Sequence, residues 1–277
     1  MSLATANGAS SGAAIRPPVK RARTSPIGVI LLGVWIAIGA FLIVALIRGM
    51  SADHLETYGP RLLHGLGVTL YLVVASVCLG AIISLPVAAG LRSNNRLLRS
   101  LAFAYSFFFR GTPLIAQVFL VYYGAGQLSP TLKSLGIWWF FRDAVNCAIF
   151  SFSLNTAAYQ AEILAGAIRA VPRGQWEAAK ALALPRFVTL SRIVLPQAMI
   201  TALRPYGNEV ILMIKASAIA SIITVLDLMG ETRYAFSKTL DLSLYLWAAV
   251  LYLLMVEIIR RVWARFEKRL TRHIRDT

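Results

Sequence analysis

Six stretches of this chain stay apolar long enough to cross the roughly 30 Å of hydrocarbon in a bilayer, which takes about 20 helical residues. They fall at 27–47, 66–91, 101–126, 144–168, 207–229 and 243–260. Inside hydrocarbon each backbone N–H and C=O must find its partner within its own segment, so a helix is the form open to runs of this kind. Buried helices of a water-soluble protein are the competing reading, and six such runs at regular spacing weigh against it. Composition agrees: 58% of the 277 residues are hydrophobic and 14% charged, where soluble domains carry about 25% charged residues. The expected fold class is an all-α membrane protein with about six transmembrane helices.

The formal net charge is +16. A basic balance points to nucleic acid only when the charge forms a patch on a soluble fold, and here it lies between apolar runs. Its distribution orients the chain instead. With the N-terminus in the cytoplasm, 20 of the 28 Lys and Arg fall on inside segments and six on outside ones (Arg48, Arg61, Lys133, Arg142, Arg233 and Lys238). That bias places both termini inside. The basic residues of 266–277 form a tail able to touch anionic lipid headgroups. Residues 1–26, opening "MSLATANGASSGAA", bury no core and read as a disordered basic tail. The first apolar run is too long for a signal-peptide core, and "ALIRGMSADH" offers no small-x-small cleavage site. Cys78 and Cys147 lie in apolar runs and read as small core residues.

The longest inside connection runs from Arg169 to about Pro205. From Gln175 to Leu184 it is rich in helix formers, with Ala178, Ala179, Ala181 and Ala183 giving a small-residue surface. Pro185 ends that helix, because the residue before a proline disfavours helical geometry. A second helix through Phe187, Leu190 and Ile193 is expected to run to Pro196. The result is a short helical hairpin on the membrane face.

The spacing Glu177-Ala178-Ala179, then Ala183, then Ile193-x-Leu195-Pro196 resembles the EAA motif of ATP-binding-cassette importer permeases. In that family the pattern is E-A-A, three residues, Gly, nine residues, I-x-L-P, so Ala183 stands where the family has glycine. "FRGTPLIAQVFLVYYG" (109–124), "AAYQAEILAGAIRAVPRGQWEAA" (157–179) and "NEVILMIKASAIASIITVLDL" (208–228) are similar to the polar amino-acid uptake group, in particular to permeases for histidine, basic amino acids and opines. The likeness covers about 62–265, which makes 27–47 an additional N-terminal span. It implies a type I importer architecture in a bacterial inner membrane, with the hairpin as a coupling helix on a separate ATPase subunit. Glu177, Ala178, Ala179, Lys180, Ala183, Ile193, Leu195 and Pro196 would make that contact. It also implies a second permease subunit, a different chain as in histidine-type systems or else a second copy, and an extracytoplasmic substrate-binding protein. ATP would be used by the partner, with no cofactor on this chain.

Ionisable groups inside a span are costly, so each is a candidate for the translocation path. In "FFFRGTPL" Thr112 is a good N-cap and Pro113 a good first helical residue, so a new helix is expected to start there. Such a start attracts anions, and Arg110 lies just before it, where a side chain snorkelling to the surface is the simpler reading. Glu162 and Lys215 each sit about 10–15 Å from the expected inner ends of their spans, which suggests an ion pair or a shared site. Tyr159, Asn208 and Glu209 are further candidates, with Asn155 and Gln160, all open to plain helix–helix hydrogen bonding.

The chain has no G-x-x-x-x-G-K-[ST] and no cluster of His or acidic residues suggesting catalysis. It reads as a transport subunit, not an enzyme. A self-sufficient secondary transporter or channel is the rival, and dependence on an ATPase separates the two.

Overall fold

The computed structural model describes residues 25–48 and 52–272. Residues 1–24 and 273–277, which carry the expected disordered tail and the end of the basic tail, lie outside them. Two compact units divide at Val44. The first is built on helix α1 (Pro26–Arg48), with a proline at its first position, where a missing N–H costs nothing. Of its 23 residues, the 19 of Pro26–Val44 are long and apolar enough to cross a membrane.

The second unit is a helical bundle with no strand among the described residues: α2 (Ala52–Leu91), α3 (Arg96–Gly111), α4 (Leu114–Gln127), α5 (Ser129–Ser134), α6 (Trp138–Phe141), α7 (Ala144–Ala170), α8 (Arg173–Ala181), α9 (Arg186–Val188), α10 (Leu195–Ala216), α11 (Leu228–Thr239) and α12 (Ser243–Leu270). A π turn joins α9 to α10 and a 3-10 turn follows α10. Among the described residues four helices are long and apolar enough to span, or five if α3 and α4, bent by 100° at their junction, count as one broken span.

Helix α7 is the axis of the bundle, packed against α2, α3, α4 and α10. It is 27 residues long, about 40 Å at the helical rise, yet it falls short of the hydropathy of the other spans because neighbours rather than lipid surround it. Its alanines let those neighbours in. At Gly80 of α2 an added Cβ would lie 2.5 Å from the Thr156 methyl, so only glycine permits this approach. Two apolar clusters sit at either end of α7. Leu72, Val118, Phe152 and Ile214 anchor one; Ala161, Ala165, Val171 and Val194, next to the hairpin, anchor the other.

Boundaries differ from the sequence expectation. The expected 66–91 span already starts at Ala52. The expected 101–126 span starts at Arg96 and breaks between Gly111 and Leu114. The expected 207–229 span is a helix that already starts at Arg186, continues through Pro196 and Pro205, and gives way at Thr224, whose φ is 71°. Pro196 is absorbed by the π turn of Thr189–Val194, where Leu195 N–H bonds five residues back to Leu190 O. Beside Pro205, the Trp263 indole donates to Leu203 O at 2.8 Å and fills the space that a Cβ on Gly207 would occupy. Thr201, whose carbonyl Pro205 deprives of its donor, is exposed on an open cleft where water can reach it. The last helix runs ten residues past the expected 260, to Leu270, so 266–270 is helix rather than tail.

Candidate functional site

Between the two apolar clusters α7 carries a polar seam, and the break at Pro113 explains half of it. Proline has no N–H, so Phe109 O loses the donor it would have had four residues on. Two amides replace it: Gln117 Nε2 at 2.9 Å and Asn155 Nδ2 at 2.8 Å. Asn155 also donates to Gln117 Oε1 at 3.0 Å, locking the pair. Gln117 was not among the sequence candidates, though a lone amide on an apolar helix four residues after a proline was a usable signal. Thr112 does not cap α4 as expected. It has the extended backbone typical of a residue before proline, and its hydroxyl bonds back to Phe108 O at 2.8 Å; Pro113 itself is the N-cap.

The other half of the seam links α7 to α10 and α2. Thr156 Oγ1 donates to Glu209 Oε1 at 2.8 Å, and Gln160 Nε2 donates to Thr156 Oγ1 at 3.1 Å and Val77 O at 3.2 Å. Glu209 is 7% exposed, and Gln160 Oε1 is buried with no partner. These groups tie helices together and leave little surface to a solute.

One cluster remains open. Arg110 Nη1 lies 3.3 Å from Glu162 Oε1, with the side chains 42% and 27% exposed, and the guanidinium stands 5.4 Å over the Tyr159 ring. Arg110 also acts electrostatically on Glu209. Arg110, Tyr159, Glu162 and Glu209 are thus brought together, and Arg110 is paired rather than snorkelling alone. The expected Glu162–Lys215 pair does not form. Because α10 starts earlier than its prolines suggest, Lys215 lies about 30 Å along it from Leu195, whereas Glu162 is about 12 Å from the hairpin end of α7. Lys215 is exposed and in no ion pair among the described residues. Asn208 is exposed too, on a cleft shared with Arg204 and Trp263.

At the end of the bundle away from the hairpin, the loop before α11 is seated on α2. Asp227, fully buried, caps α11 through Gly230 N–H at 2.9 Å, Thr69 Oγ1 accepts from Leu228 N–H at 3.1 Å, and an added Cβ on Gly65 would meet Asp227 O. Arg61 pairs with Glu231 at 3.5 Å and lies 4.2 Å over Tyr234, holding that phenol below its ordinary pKa.

The hairpin forms as a short helix, a tight turn and the start of the long helix. Helix α8 ends in a Schellman motif: Leu184 N–H bonds to Ala179 O at 3.0 Å and Ala183 N–H to Lys180 O at 2.9 Å. Its turn places Ala183 at φ 50°, in the left-handed region where glycine is at ease and alanine carries a cost of about 1–2 kcal/mol. Glu177, Ala178, Lys180, Ala183 and Pro196 are exposed, while Ile193 and Leu195 are half-buried. Ala179 is 2% exposed and belongs to the bundle's interior, not to the small-residue surface expected of it. The tip instead shows two large apolar side chains, Leu182 at 73% and Phe187 at 79% exposure. Trp176, beneath Arg92 at 5.9 Å, and Val194 root the hairpin in the adjacent cluster.

Residues 76–272 match the family model described as binding-protein-dependent transport system inner membrane component. The chain is 40% identical over 217 residues to the nopaline transport system permease protein NocM of Agrobacterium fabrum, covering 78% of this chain and 90% of that protein. It is 38% identical over 211 residues to the histidine/lysine/arginine/ornithine transport system permease protein HisM of Salmonella typhimurium, covering 76% and 90%. A solved amino acid ABC transporter with histidines superposes with a TM-score of 0.70 at 30% identity over 79% of this chain and 99% of that one. The inward-facing MetNI methionine ABC transporter shares the fold, with a TM-score of 0.65 at 20% identity over 80% of this chain and all of the other.

Proposed function

The chain belongs to the family of binding-protein-dependent transport system inner membrane components, and from that premise we propose that it is the permease subunit of an importer for a cationic polar amino acid or an opine-like derivative. The observation that carries this reading is the hairpin: an exposed Glu177, Ala178 and Lys180 on a helix closed by a tight turn, with Leu182 and Phe187 bare at its tip. Small residues allow close approach, Glu177 makes charge-assisted hydrogen bonds, and the two apolar side chains suit a groove on an ATPase subunit. The hairpin end faces the cytoplasm, as the arginine bias indicates, and both termini lie on that side.

The chain is continuous from Arg186 through α10, and Glu209 of the seam sits on that same rod. A displacement of the hairpin therefore reaches Glu209 and its partner Thr156 about 30 Å away without crossing a flexible joint. ATP-driven closure of two ATPase subunits draws two hairpins together and shifts α10 against α7, alternating access to the Arg110–Glu162 cluster. Glu162 meets the cationic group of the solute and Arg110 its carboxylate. A second permease subunit, a different chain in the manner of histidine-type systems, completes the path, and an extracytoplasmic binding protein delivers the solute.

Uptake into proteoliposomes holding this chain, its permease partner and ATPase, with the binding protein outside, tests the reading. Transport is expected to require ATP inside and to stop in Glu177→Lys. Uptake driven by an ion gradient with the ATPase removed would establish the secondary-transporter reading in its place.

A further inference from the structure

The hairpin end of the bundle holds three arginines to which the proposed transport cycle gives no part, in a cleft that Glu162 also borders. Arg96, Arg99 and Arg169 line an open cleft of about 560 Å³ with Leu91, Phe103 and Glu162. The only carboxylate lining this cleft, Glu162, is already paired with Arg110, and no ion pair reaches the three lining arginines among the described residues. Arg92, outside the cleft lining, has its pKa lowered first by burial and then by the nearby charge of Arg169.

A free anion would satisfy the arginines alone, but α3, which carries Arg96 and Arg99, offers more. Arg96, Arg99, Phe103 and Phe107 recur at three- and four-residue spacing, which puts them on one face of α3. Phe103 and Phe107 stack with centroids 6.0 Å apart and are 59% and 70% exposed. Guanidinium groups at the end of the helix thus lead into an apolar strip running toward the middle of the bundle. A phosphate attached to acyl chains matches both parts: arginine forks bind phosphate oxygens bidentately, and the chains cover the aromatic strip.

We propose that this cleft binds an anionic phospholipid, its phosphate held by Arg96, Arg99 and Arg169 and an acyl chain laid along Phe103 and Phe107. Native mass spectrometry of the purified transporter with added phosphatidylglycerol or phosphatidylcholine tests it. Phosphatidylglycerol is expected to be retained at least tenfold more tightly, and Arg96→Gln with Arg99→Gln and Arg169→Gln to abolish the preference. The matching change on α12, Arg265→Gln with Lys268→Gln and Arg269→Gln, is expected to leave it intact. Equal losses in both triple variants would reduce the effect to general attraction of basic residues to the membrane and overturn the proposal. Phe103→Ala with Phe107→Ala keeps all the charge and is expected to weaken retention several-fold. No change there, or full displacement of the lipid by inorganic phosphate, would show a site for free anions and overturn it as well.

Discussion

The hairpin of 173–194 and the seam along α7 are both polar interruptions in an apolar chain, and they differ in what their polar groups bind. Glu177 and Lys180 of the hairpin are exposed, so they add little to the stability of the isolated bundle, and the proposed function gives them their part through a docked partner. Seam groups are buried and already bonded to one another, so each is a structural obligation first. Arg110 and Glu162 differ from the rest of the seam in being partly exposed, at 42% and 27%. The contrast separates positions where substitution removes function without loosening the fold from positions where it does both.

The sharpest way to break the comparison is Glu177→Lys, expected to lower ATP-coupled uptake at least 100-fold while thermal unfolding in detergent moves by less than about 0.5 kcal/mol, as for an exposed surface change. A melt displaced by several degrees would place Glu177 among the structural groups. Gln117→Leu is the opposite case. It withdraws a donor from Phe109 O and leaves Asn155 half-satisfied, and is expected to destabilise the bundle by about 2 kcal/mol. Glu162→Gln leaves Arg110 without its counter-charge, but both side chains are partly exposed, so the stability cost is held to about 0.5–1 kcal/mol. Initial uptake rates are expected to fall far more than the melt does. Ala183→Gly relieves the left-handed alanine and is expected to raise the unfolding free energy by about 1 kcal/mol with coupling preserved. Lys215→Met is expected to do least, leaving uptake and stability within about 0.5 kcal/mol of the native chain; a large loss would return Lys215 to the translocation path.

The short helix before Pro185 was legible in advance because its signals are local, alanines favouring helix and the proline a break, although the helix ends at Ala181, before Pro185 is reached. Even so, the burial of Ala179 depended on how α8 packs against 189–194, across the turn. In the seam the residue types were visible but not their pairing. Glu209 and Asn155 each admit several partners at comparable depth, Thr156 was not among the candidates, and only the packing of α7 against α4 and α10 selected the pairs. Gln117 went unnoticed because its task, serving Phe109 O, arises from a bend whose size no local propensity sets.

By itself the sequence determined that this chain is a membrane protein of several apolar helices and that a tight turn follows α8, since hydropathy and turn chemistry act over a few residues. Tertiary structure decided who pairs with whom. Whether Pro205 ends a helix turns on water reaching Thr201 and on Trp263, 58 residues later, bracing the next turn. Because the helix survives there, Lys215 is carried far from Glu162, and Arg110 takes its place.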